Sequence, residues 1–534
     1  MRNEITVQNL DHLGIVAGII DEIGIEEIIN ERLGKNSREK VSAGVIVKAM
    51  LINGLGFVSA PLYMFEKFYE GIAVEHLLGA GVKAEYLNDD RLGQVMDDIY
   101  AENVSDIFMT ISLAAVKKFG IEVATGHLDS SSFHVDGKYE GEATEAVEIS
   151  YGYSRDHRPD LKQFVMNLLC VGDGDIPVML EMGNGNQSDK ERFAELFQKF
   201  KQQWTFEGIC IADAALYSAD NIAAMAGLKW LTRVPLSIKE AAELVESNIQ
   251  LAPSNLKGYR TSETVSEYGE VNQRWILVES QERRKSDLEK LDKKLEQFRH
   301  KCHQDLQTLS GQDFACDADA IAAAQHLSNK MSWHQLSDIQ VVKKRHYQKA
   351  GKPSKNDLPS HMTYRVTATI TPIESQISAQ RRRCGRFVLA TNVLDADNFT
   401  TEMTLKEYKA QQGPERGFRF LKDPLFFASS VFLKSRRRIQ VLGMIMALCL
   451  LVYNLGQRQL RLALAQNQAT IPNQLGKPTN SPTLRWIFQC FLAVHLVVVH
   501  DVKQIVNLST SRLHILQFFP SACRRYYLLP LPDS

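Results

Sequence analysis

The chain has few cysteines, and they stand far apart. Eight cysteines are spread over 534 residues, and no two of them form a CxxC pair. The sequence therefore predicts neither a disulfide framework nor a cysteine-ligated zinc site, and reduced thiols indicate a cytoplasmic protein. The first residues, MRNEITVQNLDHLG, have no apolar segment of the kind that a secretory signal needs.

Apolar runs long enough to span a membrane are also missing. A spanning helix needs about 20 apolar residues, whereas the two most apolar stretches, Ile439–Tyr453 and Trp486–His500, are about 15 residues long. Both are predicted to be buried core helices, and no membrane partner is expected. A membrane anchor at 439–453 is the alternative interpretation.

Neither sign of charge is in excess over the whole chain, but each sign is in excess in one part of it. Lys and Arg number 62 against 63 Asp and Glu, a formal net charge of −1. Residues 1–120 carry 11 basic and 18 acidic side chains, a net charge of −7. Residues 401–534 carry 17 basic and 6 acidic side chains, a net charge of +11. The C-terminal end is therefore a candidate for binding a polyanion such as DNA.

The spacing of apolar residues divides the chain into helical and α/β parts. Apolar residues recur at helical spacing in Leu13–Ile29 and Val45–Phe57, which predicts an all-helical N-terminal domain. From about residue 121, short apolar runs and turns predict an α/β core that is interrupted by an α+β insertion. The predicted segments are a helical, DNA-binding domain at 1–120, the core at 121–235, the insertion at 236–385, the resumed core at 386–465 and a helical region at 466–534.

Two predicted strands of the core end in an aspartate. Glu122–Asp129 and Gly208–Asp213 each run from apolar residues to a carboxylate, and a hairpin is predicted between them at 164–180. Carboxylates at adjacent strand ends suit a hard cation such as Mg²⁺. A third carboxylate could complete a site for two ions, the arrangement used for phosphodiester displacement. Because turns favour aspartate anyway, a purely structural role is the alternative for each residue.

The third candidate carboxylate is Glu415. Pro414 suits the first turn of a helix, so Glu415 falls in that turn, with Arg419 and Lys422 on the same face. One interpretation is an i,i+4 salt bridge on an exposed helix. The other is a metal ligand beside cations that hold a phosphate backbone, and the spacing alone does not separate the two.

The segment from Tyr408 to Lys422 resembles a known signature. The pattern Tyr408-x₂-Gln411-x₃-Glu415-x₆-Lys422 is similar to the Tyr–Arg–Glu–Lys signature of DDE transposases from bacterial insertion sequences, with Gln411 in place of the Arg. Asp129, the IADAALYS block around Asp213 and the long insertion before Glu415 follow the order found in that superfamily. The phrases GYSRDHRPDLKQ and ERGFRFLKDPLFFASS resemble a sub-group with a helical N-terminal domain.

The resemblance implies a fold and a site. It implies an RNase H-like core, a mixed sheet with flanking helices, interrupted by the insertion. It also implies that Asp129, Asp213 and Glu415 form the catalytic triad and hold two Mg²⁺ or Mn²⁺ ions, and that Tyr408 and Lys422 contact phosphates of the transposon end. Gln411 can donate a hydrogen bond to a phosphate but brings no charge.

Basic residues near the proposed triad are candidates for neutralising a DNA backbone. The densest cluster follows Glu415, and a solvated helix N-terminus is the alternative for it; a second group follows Asp129. His127 and His134 are predicted to be structural, and Trp275 to lie in a hairpin core, with a role in holding a flipped base as the alternative. The predicted DNA-binding residues are Tyr408, Gln411, Arg416, Arg419, Lys422, Lys434, Arg436, Arg437, Arg438, Arg155, Arg158 and Lys162.

The sequence thus predicts a DNA transposase, a polynucleotidyl transferase. It would bind the terminal inverted repeats of an insertion sequence, cut DNA by metal-assisted hydrolysis and join the 3′-OH to target DNA. We expect it to act in the bacterial cytoplasm at the nucleoid, as a homodimer on double-stranded DNA. The alternatives are a metal-dependent nuclease on the same fold and a catalytically silent DNA-binding descendant.

Overall fold

The chain divides into two units. The computed structural model describes residues 5–34, 39–57, 64–137, 139, 146–154, 158–187, 189–204, 206–348, 358–423, 433, 435–500 and 502–529. The core unit comprises Met1–Thr232 and Leu405–Ser534, and the inserted unit comprises Arg233–Thr404. Both contain helices and strands, so the chain is mixed α/β.

The first part of the core unit is mainly helical. Gly24, in the left-handed conformation at φ 87°, separates the first two helices, and side chains of Ser42, Asn88 and Asn103 cap three others. The elements are β1 (Ile5–Asn9), α1 (Leu13–Ile23), α2 (Ile25–Leu33), α3 (Ala43–Gly54), α4 (Phe65–Tyr69), α5 (Val74–Leu78), α6 (Asp89–Ala101) and α7 (Val104–Phe119).

The prediction that 1–120 is all-helical is wrong at β1. Ile5–Asn9 is a strand whose side chains are mostly exposed, with Ile5 and Val7 turned to the surface. It forms an antiparallel pair with a strand at 495–499. Main-chain hydrogen bonds to a segment almost 500 residues away stabilise β1, and no local pattern indicates such a partner.

A mixed sheet is the centre of the core unit. Its strands lie in the order β4-β3-β2-β5-β6; β2, β3 and β4 are antiparallel neighbours, and β5 and β6 run parallel to β2. The predicted hairpin is confirmed as β3 and β4. The elements are β2 (Thr125–Val135), β3 (Lys162–Val171), β4 (Ile176–Gly183), α8 (Asp189–Gln203), β5 (Ile209–Ile211), α9 (Ala219–Ala224) and β6 (Lys229–Val234).

The prediction of a strand that ends at Asp129 is wrong. β2 continues to Val135, and Asp129 lies in its middle, opposite Leu168 of β3. The polar run Ser130–Ser132 resembles a turn in sequence. These serines are buried and small, however, and their main chain continues the ladder with β3.

The inserted unit combines an antiparallel sheet with long helices. Four of its strands are hydrogen-bonded in the order β12-β9-β8-β7, and β10 pairs with β11 in a two-stranded sheet. Trp275 is 3% exposed and donates from Nε1 to Gln273, which confirms its place in a hairpin core. The elements are α10 (Lys239–Glu246), β7 (Ala252–Pro253), β8 (Tyr259–Tyr268), β9 (Val271–Ser280), α11 (Gln281–Gly311), α12 (Asp317–Lys330), β10 (His334–His346), β11 (His361–Pro372), α13 (Glu374–Arg383) and β12 (Arg386–Thr391).

One long buried helix dominates the rest of the core unit. α16 (Arg436–Gln466) is long and apolar enough to cross a membrane, but 78% of its most apolar window is buried inside the protein. This burial is typical of a core helix, and it confirms the prediction for 439–453. The other elements are α14 (Thr401–Ala410), α15 (Gln412–Leu421), β13 (Ile471–Pro472), β14 (Pro478–Thr479), α17 (Leu484–Cys490), β15 (His495–Val499), β16 (Val502–Val506), α18 (Thr510–Leu516) and α19 (Ser521–Arg524).

Two predictions for the C-terminal region are wrong. Trp486–His500 is not one helix, because α17 ends at Cys490 and β15 follows. The region 466–534 is not all-helical either, since it contains β13 to β16. The sequence of β15, HLVVV, is rich in β-branched residues, which fit a strand better than a helix, and β15 lies between β1 and β16 in a three-stranded sheet.

Candidate functional site

Asp129 is held on a strand that is buried along most of its length. Its main chain pairs with Leu168, and its Oδ1 accepts a 2.8 Å hydrogen bond from the amide of Ser130. The side chain is half-buried between the buried residues Leu128 and Ser130. The ladder on β2 therefore fixes the position from which the carboxylate projects.

Asp213 follows the neighbouring strand, as the sequence predicts. β5 ends at Ile211, and the extended Asp213 then caps a short 3₁₀ turn over Ala214–Leu216. Its Oδ1 accepts a 2.8 Å hydrogen bond from the amide of Ala215, and its carbonyl oxygen accepts one of 2.6 Å from the Thr232 hydroxyl. The Asp213 side chain is exposed, so its position is fixed while its carboxylate faces solvent.

The strand register places the two aspartates at corresponding positions. β2 and β5 run parallel, with Thr125 opposite Ile209 and His127 opposite Ile211. Asp129 and Asp213 each lie two residues beyond this last pair. Since residues two apart share a face of a sheet and neighbouring strands lie about 4.8 Å apart, we infer that the two carboxylates lie on one face of the sheet, on neighbouring strands.

Glu415 lies in the first turn of α15, as predicted from Pro414. Its side chain is exposed. Within the described part of the chain, neither Glu415 nor Arg419 forms an ion pair. The i,i+4 salt bridge that the spacing allows is therefore not formed, and the Glu415 carboxylate is open to a ligand.

α15 packs directly against the strand that carries Asp129. The rings of Phe418 and Phe133 lie 6.3 Å apart, and Nζ of Lys422 lies 5.3 Å from the centre of the Phe133 ring. Phe133 is on the same face of β2 as Asp129, four residues further along the strand. The helix is thus held over the face that carries both aspartates.

An acidic turn between β3 and β4 anchors the helices that surround Glu415. Oδ2 of Asp175 lies 2.9 Å from the Arg416 guanidinium in an ion pair. The carbonyl oxygen of Asp175 accepts a 2.7 Å hydrogen bond from the Asn454 side chain. Asp173 pairs with Arg458 of α16 through two contacts of 2.7 and 2.5 Å. The sequence predicts only that this Gly-Asp-Gly-Asp segment is a turn. Its two aspartates are the signal that could have indicated ion pairs with the helices.

Replacing Asp173 by Asn is expected to destabilise the core unit at neutral pH by about 1.5–3 kcal/mol, the range for hydrogen bonds to charged groups. Arg458 lowers the pKa of Asp173 from its ordinary value of 3.8. This stabilisation is therefore present above pH 3.8 and is lost as the pH falls through the lowered value. Chemical denaturation at a series of pH values measures the free energy of unfolding. As the pH falls below 3.8, this free energy should decrease less in the variant than in the wild type. An equal decrease in both proteins would contradict this role of Asp173.

Gln411 is buried beside Asp129 and lies at the junction of α14 and α15. It is 7% exposed; Nε2 donates to the Leu128 carbonyl at 2.8 Å, and Oε1 lies 3.2 Å from Nδ1 of His127. Burial lowers the pKa of His127, so the neutral imidazole donates from Nδ1 to Gln411. Nε2 of His127 then accepts from Thr125 Oγ1 at 3.2 Å. The structure thus places the Gln411 side chain inside the protein, where it ties the Glu415 helix to β2.

The Gln411→Leu protein is expected to lose about 1–3 kcal/mol of unfolding free energy, because the buried Leu128 carbonyl and His127 ring lose their partner. The matched control is Gln412→Leu at the exposed neighbouring position, where a change within about 0.5 kcal/mol is expected. Urea denaturation of the two variants compares them. Equal midpoints would show that Gln411 does not tie α15 to β2.

The arginines that begin α16 make contacts inside the core unit. Arg438 forms a bidentate pair with Asp97 of α6, at 2.9 and 2.7 Å, and this pairing lowers the pKa of Asp97. The Arg437 guanidinium lies 5.4 Å from the centre of the Tyr100 ring. Arg436 donates to the Tyr139 carbonyl at 2.5 Å. The contacts of Arg437 and Arg438 join α16 to α6, so these two arginines have a structural role.

The other predicted DNA-binding residues are dispersed. Arg158 pairs with Asp160 at the surface, Lys162 begins β3 and Tyr408 is half-buried on α14. Lys434 and Arg155 lie outside the described residues. DNA contact by any of these side chains stays a prediction, as does a catalytic role for the three carboxylates.

The carboxylate set fits a divalent cation in chemistry. Asp129, Asp213 and Glu415 offer only oxygen ligands, which Mg²⁺ and Mn²⁺ favour, and two of them occupy corresponding positions on adjacent strands. In the described ranges, no three carboxylate, imidazole or thiol groups come close enough together to hold a metal ion. The backbone places the three residues around one face, but their carboxylate groups do not lie close enough together to form a metal site in this structure.

Parts of the chain are similar to known proteins. Residues 5–113 match a family described as "Domain of unknown function (DUF4277)". No curated protein matches the chain. The structure is similar to a cryo-EM structure of the piggyBac transposase synaptic complex with hairpin DNA, with a TM-score of 0.36, 9% identity and coverage of 98% of this chain and 84% of that chain. A similarity this distant assigns neither a fold nor a function.

Proposed function

We propose that this chain is a DDE-type DNA transposase of a bacterial insertion sequence. It would bind the terminal inverted repeats of the element, cut the DNA in a metal-dependent reaction and join the freed 3′-OH to target DNA. The observation that carries the proposal is the register between β2 and β5, which gives Asp129 and Asp213 corresponding positions. Glu415 follows on a helix that is packed against β2.

Asp129, Asp213 and Glu415 are the residues that would hold two Mg²⁺ or Mn²⁺ ions. Bound there, the ions would supply electrostatic stabilisation of the attacking and leaving oxygens of an in-line displacement at phosphorus. The chain's own contribution is positioning. The β2 ladder fixes Asp129, the cap of the 3₁₀ turn fixes Asp213, and the Asp175–Arg416 pair with buried Gln411 fixes the helix of Glu415.

The surroundings of Glu415 support an approach by DNA from the solvent side. Arg419 is exposed one turn after Glu415 and makes no ion pair within the described ranges, so its guanidinium is available to a phosphate. Lys422 lies at the C-terminal end of the same helix. We propose that these two cations, with Tyr408, hold the backbone of the transposon end next to the carboxylates.

The fold supports the same proposal. The mixed sheet of the core unit, with three antiparallel strands followed by two parallel ones and helices around them, supports an RNase H-like core. A separate inserted unit between Asp213 and Glu415 supports the order of parts that the sequence resemblance implies. We further propose action at the nucleoid in the bacterial cytoplasm, and a homodimer on DNA.

Strand transfer separates a transposase from a nuclease on the same fold. The test supplies pre-cleaved DNA ends from the flanks of the gene, a supercoiled target plasmid and Mg²⁺. A transposase joins the 3′-OH of the end to the plasmid, and the joined product is detected by amplification across the junction. A protein that only cuts the plasmid without joining would overturn the proposal in favour of the nuclease.

A further inference from the structure

The inserted unit contains a cavity in which five of the ten lining residues are basic. The cavity has a volume of about 300 Å³ and lies where α11, α13 and the start of β12 meet. α11 contributes Arg283, Asp287 and Lys290, which lie on one helix face at positions i, i+4 and i+7. α13 contributes Arg383 at its C-terminal end. The polar groups of two helices therefore face one space.

Strand residues complete the basic lining. Arg233 lies near the end of β6 and is the first residue of the inserted unit; it lines the cavity together with Arg386, the first residue of β12. Arg233 is half-buried, and its guanidinium lies 5.5 Å from the centre of the Phe387 ring. A guanidinium held over an aromatic ring keeps its N–H donors available to other partners.

Carboxylates neutralise only part of this charge. Arg386 pairs with Glu279 at 3.0 Å, Arg383 with Glu246 at 3.5 Å and Arg283 with Asp287 at 3.6 Å. Five cations thus have three carboxylate partners, which leaves an excess of two positive charges. Within the part of the chain that the structure describes, Arg233 and Lys290 carry this excess, because neither has an ion-pair partner.

We propose that this cavity is a binding site for a phosphate group. Two uncompensated cations match the charge of a phosphate dianion or of two adjacent phosphodiesters, and the guanidinium of Arg233 has the planar donor geometry that suits phosphate oxygens. The phosphate belongs either to a DNA backbone or to a small phosphorylated compound. The inference concerns the inserted unit alone and does not depend on the proposed transposase chemistry.

The test compares the full-length protein with two variants, Arg233→Gln/Lys290→Gln and Lys290→Glu. The second changes only an exposed side chain, so its folding is not at risk. Lys301→Gln, at another exposed position of α11, is the matched control. Binding of pyrophosphate is measured by calorimetry, and binding of a fluorescein-labelled DNA duplex by anisotropy over a series of salt concentrations. EDTA is present throughout, so metal-dependent binding elsewhere does not contribute.

We expect both variants to bind pyrophosphate roughly tenfold or more weakly than the wild type and the control, since removing one charged hydrogen bond changes affinity by about that factor. If the natural source is DNA, the slope of log affinity against log salt should also become shallower, by about 0.9 for each phosphate that the variant no longer neutralises, and pyrophosphate should compete with the duplex. If the source is a small compound, duplex binding should be unchanged. Equal affinity of the wild type and both variants for both probes would overturn the proposal.

Discussion

The Asp213→Asn protein is expected to bind duplex DNA as the wild type does and to cut it at least ~10²-fold more slowly. Removing one group that stabilises developing charge in an active site costs about 10²–10³-fold in rate. Asn keeps the shape of the side chain and its hydrogen bond to the Ala215 amide, so the 3₁₀ turn should persist. Cleavage is measured with Mg²⁺ on a fragment that carries the flanks of the gene, and binding is measured in EDTA.

Asp220 provides the matched control for this substitution. It is an exposed aspartate in the first turn of α9, seven residues after Asp213. The Asp220→Asn protein should cut DNA at the wild-type rate. Similar cleavage by the Asp213→Asn and wild-type proteins would contradict the assignment of the triad, and similar losses in both variants would show that the effect is not specific to the site.

The Tyr527→Ala protein is expected to lose about 3–5 kcal/mol of unfolding free energy, the cost of deleting a fully buried aromatic ring. Tyr527 is 2% exposed and lies against α1, where a Cβ on Gly14 would come within 2.9 Å of its ring. Its hydroxyl donates to the Asp11 carbonyl at 2.7 Å and accepts from the Ile15 amide at 3.2 Å. The denaturation midpoint and the hydrogen exchange of α1 measure the loss.

Leu528 is the control for Tyr527, because this neighbouring residue is 49% exposed. The Leu528→Ala protein should stay within about 0.5 kcal/mol of the wild type. Faster exchange in α1 for Tyr527→Ala alone would show that the C-terminal end stabilises the N-terminal helices. Unchanged exchange in α1 would mean that the N-terminal helices are stable without this contact.

The opposed charges of the two chain ends have an intramolecular explanation. Asp21 of α1 lies 2.6 Å from Arg525 and 2.5 Å from the buried Lys48, and Asp97 of α6 pairs with Arg438 at the start of α16. Acidic residues of the first 120 positions thus neutralise basic residues of the last 134. Part of the positive excess near the C-terminus therefore stabilises the fold, which a net charge counted along the chain cannot reveal.

The elements that depend on local signals are predictable from the sequence. The β3–β4 hairpin follows from apolar runs around a glycine-rich turn, and the start of α15 follows from Pro414. The errors occur where distant segments meet. β1 depends on pairing with β15 from the opposite end of the chain, and the extension of β2 beyond Asp129 depends on its ladder with β3.

The candidate site shows the same division. The spacing from Tyr408 to Lys422 indicates Glu415, and the strand before Asp213 indicates that aspartate, since both patterns are local. The surroundings of Gln411 are not local, because its partners His127 and Leu128 lie more than 280 residues earlier. Sequence spacing therefore suggests that Gln411 contacts DNA, whereas tertiary packing places its side chain in the interior. The anchoring by Asp173 and Asp175 also depends on helices that are distant in the chain.

The most direct test of the proposed function is to map the cuts that the purified protein makes in DNA carrying its own gene and flanks. With Mg²⁺ and a target plasmid present, sequencing of the products locates every new 3′ end and every junction. We predict cuts at two discrete positions that bracket the gene, with the 3′ ends joined to the plasmid, and no such products from the Asp213→Asn protein. Scattered cuts, no cuts, or the same products from the variant would contradict the proposal.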